Sequence, residues 1–313
     1  YHFSFGASHG FQLLYTDLST KFADFWRLVA SRFKDSKNII GYEIINEPWA
    51  GDIYFFPSLL WPTFADYHNL QPFYDKIARN IFDIDDNHLI LFQSVTWSIF
   101  RTGFTHTPGN RENKTILSYH GYYPPNFSAR QIFNSRNWDM KRLKCGGILT
   151  EFSVGSGTIS HETEIYHALN LINHADRNMQ SWFIWEYKKF IPITGSNYGF
   201  FYPNGSYTEA KNLFSRPYAQ AVAGKIIDME FFRNIGKFKV SFIPNFDIKK
   251  PTIIYINKEM YYSDGYTIDV IPPTLVYSIK DKDGYIEFYI NRYENTNITI
   301  TISPNYMDPI HVE

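Results

Sequence analysis

The chain of 313 residues has a single cysteine, Cys145, and no long apolar run. One cysteine excludes an internal disulfide and a cysteine-rich metal cluster. A membrane-spanning helix needs roughly 18 consecutive apolar residues, and the sequence contains no such run. We therefore expect a fold that depends on packing, with no metal and no other cofactor.

The chain also lacks an excess of charge of either sign, because 30 Lys and Arg residues are balanced by 31 Asp and Glu residues. Such a chain has no electrostatic preference for nucleic acid or for an anionic membrane surface. We expect a neutral partner and no nucleic acid. The aromatic content of 19% suits walls that stack on sugars, and it equally suits an aromatic-rich core.

Short apolar runs that end in polar or aromatic residues recur through the first two hundred positions. Runs of this length, rich in Ile, Leu and Val, are typical of buried parallel strands. Helical spacing lies between them, for example over residues 22–33, where apolar residues recur at i, i+3, i+4 and i+7. The runs are residues 39–46, 88–94, 115–120, 147–151 and 179–186.

Alternation of strands and helices predicts parallel βα units. Glu47 directly follows the first run, Glu151 ends the fourth, and the two residues are 104 positions apart. Over three units this spacing gives about 35 residues each, close to the ~30 of a βαβ crossover. A closed (β/α)8 TIM barrel needs eight strands and roughly 250 residues, so the runs are expected to be its strands 4 to 8. The predicted class is α/β, with the chain opening inside the barrel.

After Gly224 the pattern changes to short alternating segments that are separated by turn pairs such as Asp264-Gly265 and Asp283-Gly284. This pattern is typical of an antiparallel β-sandwich. We therefore predict two domains, the C-terminal part of a TIM-barrel catalytic domain over 1–218 and a β-sandwich domain over 219–313.

The strongest chemical signal is the first run, which ends in Asn46-Glu47-Pro48. In barrel enzymes the carboxyl ends of the strands form the active site, so an amide and a carboxylate there point at substrate. The alternative is a strand end whose Asn caps the next helix.

A second carboxylate, Glu151, ends the fourth run. Cleavage of a glycosidic bond with retention needs two carboxyl groups about 5 Å apart, one that donates a proton and one that attacks the anomeric carbon. Barrel strands 4 and 7 could bring Glu47 and Glu151 face to face. The alternative for Glu151 is an ion pair with a nearby Lys or Arg.

Three more side chains follow strand ends. His120 and Tyr122 are at alternate positions, so both leave an extended strand on the same side. We expect the imidazole to orient the acid/base and the phenol to steady the nucleophile. Trp185 is a candidate floor for a sugar ring, whereas Trp182 fits better as a core residue.

Asn46-Glu47-Pro48, His120-x-Tyr122, Glu151 and Trp185, in this order, resemble glycoside hydrolase family 5. Within the family, residues 41–51 and the stretch Leu-Phe-Ser-Arg-Pro-Tyr-Ala-Gln-Ala-Val-Ala-Gly over 213–224 resemble the endoglycoceramidase branch.

The resemblance implies a retaining hydrolase that cleaves the linkage between glycan and ceramide in a glycosphingolipid. Glu47 would be the acid/base, Glu151 the nucleophile, and Asn46 a contact to the sugar 2-hydroxyl. The family's barrel strands 1 to 3 have no counterpart here, so His2 and His9 are assigned no role.

The segment 49–61 carries a surplus of apolar side chains next to Glu47, from Trp49 to Trp61. It could receive acyl chains or make a peripheral contact with a membrane or lipid aggregate. The alternative is a loop folded onto the helices of the barrel.

Other functions stay open at this point. The same barrel could act as a β-glucosidase or galactosidase on simple glycosylceramides or steryl glucosides, or as an endoglucanase. A different class is an inactive carbohydrate- or lipid-binding fragment.

Glycosylation sequons begin at Asn113, Asn126, Asn204 and Asn297. Chance could supply several sequons in a chain so rich in Asn. They nevertheless favour a glycoprotein that is secreted or lysosomal.

Overall fold

The structure is a computed structural model that describes residues 3–97, 100–122, 127–154, 160–188, 199–202, 204–208, 210–291 and 296–306. The chain divides into two compact units, Tyr1–Phe152 and Ser153–Glu313. Among the described residues, no helix has both the length and the apolar character needed to span a membrane.

The first unit is built on a four-stranded sheet whose strands are parallel and follow chain order. All four carboxyl ends therefore lie along one edge of the sheet. The strands are β1 Gly41–Glu43, β2 Leu89–Gln93, β3 Thr115–His120 and β4 Gly146–Glu151. The helices are α1 Phe5–Tyr15, α2 Ser19–Phe33, α3 Gln71–Phe82 and α4 Ala129–Leu143. Single turns of 3₁₀- or π-helix lie over Pro57–Leu60, Asp66–Leu70, Pro108–Asn110 and Glu112–Lys114.

Local sequence explains these elements. Ile90 and Phe92 of β2 are fully buried, as expected for a strand in the middle of a parallel sheet. On α3, Phe73, Ile77 and Ile81 recur at helical spacing and are also buried. Helix α4 begins after Ser128, whose hydroxyl accepts the Gln131 backbone N–H in a capping box.

Buried aspartates fix the segment that follows β2. Asp66 accepts the backbone N–H groups of Val95 and Gly103, both at 2.8 Å. Asp139 of α4 accepts the Thr102 backbone N–H at 3.1 Å. Because these donors satisfy carboxylates that are buried, the segment has few alternative positions.

The second unit contains two four-stranded antiparallel sheets, in the orders β10-β11-β8-β5 and β6-β7-β12-β9. Side chains that alternate along the strands, such as Phe238, Val240 and Phe242, are fully buried and form one core. The strands are β5 Tyr218–Ala221, β6 Gly224–Phe232, β7 Lys237–Pro244, β8 Thr252–Tyr255, β9 Tyr266–Ile271, β10 Val276–Lys282, β11 Tyr285–Ile290 and β12 Ile298–Pro304. Its helices are α5 His161–Arg177, α6 Ala210–Phe214 and α7 Lys258–Tyr261, with 3₁₀ turns over Arg233–Ile235 and Pro273–Leu275. The predicted fold class, parallel βα units followed by an antiparallel sandwich, is confirmed.

Two details differ from a regular alternation. Over 179–186 the described chain has an isolated bridge at Trp182 and no continuous strand. A strand needs an unbroken ladder of hydrogen bonds, and a single bridge does not supply one. Helix α5 belongs to the second compact unit, where its Asp176 pairs with Arg216 at 2.6 Å. The predicted domain boundary at 218/219 stays a prediction.

A substitution at Gly41 tests how closely β1 packs against β2. A Cβ at Gly41 would lie 2.3 Å from the Leu89 carbonyl oxygen, whereas a Cβ at Gly146 of β4 would lie 3.7 Å from its nearest neighbour, Ile116 Cγ1. We expect Gly41→Ala to lower the free energy of unfolding by about 1–3 kcal/mol. Gly146→Ala, the control in the same sheet, should change it by less than about 0.5 kcal/mol. Urea unfolding of the full-length protein measures both, and equal midpoints for the two variants would contradict the close approach.

Candidate active site

Glu47, His120 and Glu151 come together at the carboxyl edge of the parallel sheet. A carboxylate oxygen of Glu47, a ring nitrogen of His120 and a carboxylate oxygen of Glu151 all lie within 4.8 Å of one another. Glu47 lies four residues past the end of β1, and the other two residues end β3 and β4. A separation of about 5 Å is typical of the carboxyl pair in retaining glycosidases, and inverting pairs are more than about 6 Å apart.

One nitrogen of His120 serves both carboxyl groups. Its Nδ1 lies 2.8 Å from Glu47 Oε1 and 3.5 Å from Glu151 Oε2. A proton on Nδ1 is therefore donated mainly to Glu47 and lies close to Glu151. Because the ring is almost completely buried, this proton reduces the repulsion between the two carboxylates with little screening by water.

Tyr122 forms a hydrogen bond with Glu151. Its O–H donates to Glu151 Oε2 at 2.7 Å. The backbone holds the same pair of strands together, because the Gly121 N–H donates to the Glu151 carbonyl oxygen at 2.8 Å. His120 and Tyr122 therefore both reach Glu151 from one short segment.

The pKa of Glu151 is raised, chiefly because burial disfavours the carboxylate. His120 and the Tyr122 hydrogen bond oppose this shift, and the negative charges of Glu47 and Glu43 add to it. Two carboxyl groups this close are coupled, so the charge of each affects the proton affinity of the other. A pair that holds one proton is what acid-assisted attack requires.

The Glu47 backbone is in the left-handed region, with φ of 44°. A residue other than glycine pays on the order of 1–3 kcal/mol for a conformation of this kind, which persists only when neighbours enforce it. The Glu47 N–H donates to Gln93 Oε1 at 2.8 Å. Sequence reasoning missed Gln93, although the second apolar run ends in Gln93-Ser94 just as the first ends in Asn46-Glu47.

The base of the segment after Glu47 is fixed by α1. The Tyr15 O–H donates to the Trp49 carbonyl oxygen at 2.6 Å, and the Ser8 hydroxyl donates to the Gly51 carbonyl oxygen at 2.6 Å. Gly51 has φ of 112°, and a Cβ there would meet the side chains of Gln12 and Asn69 at about 2.5 Å. Only glycine fits this position.

The apolar residues of 49–61 divide into two groups. Trp49, Ile53 and Leu59 are buried in the core of the first unit. The other large apolar side chains are exposed, up to 67% for Phe55 and Trp61, and the exposed residues are Tyr54, Phe55, Phe56, Leu60 and Trp61. The buried group fits a loop folded onto the first unit, and contact of the exposed group with lipid stays a prediction. We call these five exposed residues the aromatic tip.

Asn46 and Trp185 are placed less specifically. Asn46 is exposed beside Glu47 at the sheet edge. Trp185 belongs to the second unit, where it is 40% exposed, and Trp182 is half-buried with its ring 6.0 Å from the Phe214 ring. In the described part of the chain, Glu47, His120 and Glu151 are also the one group whose ligand atoms are close enough for a metal ion.

Comparison with known proteins identifies the family of the chain. The family profile for Cellulase (glycosyl hydrolase family 5) matches residues 9–190, and the profile for the glycoside hydrolase family 5 C-terminal domain matches residues 216–302. An endoglycoceramidase of Cyanea nozakii is 40% identical over 87% of this chain and 56% of its own length. An endoglycoceramidase of Hydra vulgaris is 36% identical over 97% of this chain and 59% of its own length. The chain thus spans a little over half the length of these relatives.

Solved structures share the fold. Endo-glycoceramidase II from Rhodococcus sp., solved as a lactosyl-enzyme intermediate, matches with a TM-score of 0.78 at 17% identity, over 96% of this chain and 68% of that one. Sterylglucosidase 1 of Cryptococcus neoformans matches with a TM-score of 0.60 at 12% identity, over 76% of this chain and 45% of that one. With one family profile covering more than half of the sequence and a second covering the sandwich, the chain belongs to glycosyl hydrolase family 5.

Proposed function

We propose that this chain carries the acid/base and the nucleophile of a retaining O-glycoside hydrolase that cleaves the glycan–ceramide linkage of glycosphingolipids. The observation that carries the proposal is the approach of Glu47 and Glu151 within 4.8 Å around one imidazole nitrogen. Identities of 40% and 36% to two endoglycoceramidases support the choice of substrate.

The roles of the two carboxyl groups follow from their partners. Glu151 accepts from Tyr122 and lies near His120, and both contacts favour the carboxylate that attacks the anomeric carbon. Glu47 gives its proton to the departing ceramide oxygen as the C–O bond breaks, which leaves the glycan esterified to Glu151. The ester carries no charge, and Glu47 is left as a carboxylate that can act as a base. Glu47 then takes a proton from water, which attacks the ester and releases the glycan.

Neighbouring residues complete the proposed site. Asn46, exposed next to Glu47, would bind the 2-hydroxyl of the sugar, and Trp185 would form its floor. His120 would hold the acid/base in position through its 2.8 Å contact.

The aromatic tip is the proposed contact with lipid. Phe5, the first residue of α1, extends it, because its ring packs on Tyr54 and Phe55 with ring centroids 5.6 and 6.1 Å apart. The aromatic tip follows Glu47 in the chain, so we place it on the leaving-group side of the proposed reaction. They would receive acyl chains or insert into a lipid aggregate.

A second candidate is a glycosidase for simple glycosylceramides or steryl glucosides. Fold similarity to a sterylglucosidase keeps it in consideration. Release of intact oligosaccharide from a ganglioside supports the first candidate, and release of a single hexose supports the second. An endoglucanase would act without ceramide, and a non-catalytic binding protein would release nothing.

Passage through a secretory route, to the outside or to lysosomes, is part of the proposal. The sequon residues Asn113, Asn204 and Asn297 are exposed and therefore accessible to glycosylation, and Asn126 lies outside the described residues.

Replacement of the nucleophile tests the mechanism. We expect Glu151→Gln in the full-length protein to lower kcat/KM on a fluorescent ganglioside by at least about 10⁴-fold, because an amide cannot form the glycosyl ester. Glu112→Gln changes an exposed carboxylate paired with Lys144 and is the control. Turnover by Glu151→Gln close to that of the control would remove Glu151 from the mechanism.

The pH profile tests the Tyr122 hydrogen bond. Its loss in Tyr122→Phe removes a contact that lowers the pKa of Glu151, so this pKa rises further. Since Glu151 attacks as the carboxylate, the acidic limb of kcat/KM should move to higher pH, and the plateau should fall by about tenfold to a hundredfold. An unchanged acidic limb would show that Tyr122 does not act on the ionised form.

Lipid contact is tested by the double variant Phe55→Ser and Trp61→Ser. If a ring inserts into lipid, burial of its apolar surface contributes about 1.5–3 kcal/mol to the free energy of binding, which its replacement by serine removes. Activity on glycosylceramide in phosphatidylcholine vesicles should therefore fall about tenfold or more relative to activity on a soluble aryl lactoside. Tyr166→Ser, which removes an equally exposed aromatic side chain from α5, is the matched control. An unchanged activity ratio would exclude the aromatic tip from lipid binding.

A further inference from the structure

Glu47 is held at two points, one on its side chain and one on its backbone. Its carboxylate contacts His120, and its backbone N–H donates to Gln93 Oε1 at 2.8 Å. Gln93 is only 5% exposed and is the last residue of β2. With φ fixed at 44°, the direction of the N–H determines where the Cα–Cβ bond of Glu47 points. The side chain of Gln93 therefore controls the direction in which the acid/base leaves the backbone.

Gln93 is itself held from the other side by Tyr74 of α3. The Tyr74 O–H donates to the Gln93 carbonyl oxygen at 2.8 Å, and the Gln93 N–H donates to the Tyr74 hydroxyl oxygen at 3.1 Å. Tyr74 is buried in the core of the first unit. One hydroxyl thus satisfies both backbone groups at the end of β2, where the strand ladder stops. Tyr74 of α3 thus holds the backbone of Gln93, and the side chain of Gln93 holds the backbone of Glu47.

We propose that Gln93 is a positioning residue for proton transfer, which maintains the conformation of Glu47 required to reach the leaving-group oxygen. This inference rests on the proposed role of Glu47 as the acid/base. Gln93 is too buried to bind the sugar itself, so its effect passes through Glu47. A merely structural amide would affect stability, and its loss would lower activity on all substrates alike.

Substrates that differ in the need for an acid separate these two roles. A ceramide leaving group needs a proton, whereas 2,4-dinitrophenolate departs without one. In the full-length protein, Gln93→Leu should lower kcat/KM on lactosylceramide by on the order of 10- to 100-fold. The loss in kcat/KM on 2,4-dinitrophenyl β-lactoside should be less than about 3-fold, since this parameter reports the formation of the glycosyl ester.

The second half of the reaction gives an independent readout. Hydrolysis of the ester needs Glu47 as a base, so kcat and KM of Gln93→Leu on the dinitrophenyl substrate should fall together. Azide attacks the ester without a base and should restore kcat, with glycosyl azide as the product. Gln93→Glu keeps an acceptor oxygen at the same reach and should recover most of the activity on lactosylceramide.

Two controls complete the test. Gln71→Leu removes another buried amide, whose Oε1 accepts the Thr105 N–H at 3.0 Å, and should destabilise the protein without changing the ratio of the two substrates. Glu47→Ala should show the leaving-group dependence at its largest. If Glu47→Ala lacks this dependence, the proposed role of Glu47 fails. If it has the dependence and Gln93→Leu loses activity equally on both substrates or on neither, the inference about Gln93 is overturned.

Discussion

Two carboxyl groups that repel each other are held within 4.8 Å, and the imidazole of His120 lies between them. Isolated carboxylates at this separation in a partly buried site would move apart or take up a proton. Here neither residue can move far, because each follows a strand of the same sheet. Burial raises the pKa of Glu151, the negative charge of Glu47 adds to this shift, and His120 and Tyr122 oppose it. The close approach of the two carboxyl groups therefore depends on the backbone, which prevents Glu47 and Glu151 from moving apart.

The parallel sheet supplies this rigidity. Strands in chain order place their carboxyl ends along one edge, so residues far apart in sequence meet without any direct link between them. The Gly121 N–H to Glu151 carbonyl contact extends the pairing of β3 and β4 to the site itself. Buried hydrogen bonds of Asp66, Asp139 and Tyr74 fix the neighbouring segments. The positions of the site residues at the sheet edge therefore depend on polar contacts that are buried in the first unit.

Much of this arrangement could be predicted from the sequence. The four strands were recognisable because strands buried on both faces are continuous apolar runs. Glu47, His120 and Glu151 could be predicted because each follows such a run. Gln93 could not, since its role depends on a positive φ at Glu47, and no composition or spacing records a backbone dihedral angle. Composition also could not divide 49–61 into buried and exposed halves, and the apolar run over 179–186 resembles a strand although the described chain has no ladder there.

The polar contacts of α1 with residues 49–51 have a consequence for recognition. Ser8, Tyr15 and Gly51 hold the base of the segment in one conformation, while the rings of the aromatic tip face solvent. A surface that is ordered before it meets its ligand loses little conformational entropy in binding, so more of the apolar contact energy remains as affinity. Such a surface also adapts poorly, because rigid rings cannot mould themselves around a single molecule in solution. For the proposed lipid contact, this rigidity favours packed lipid assemblies over dispersed monomers.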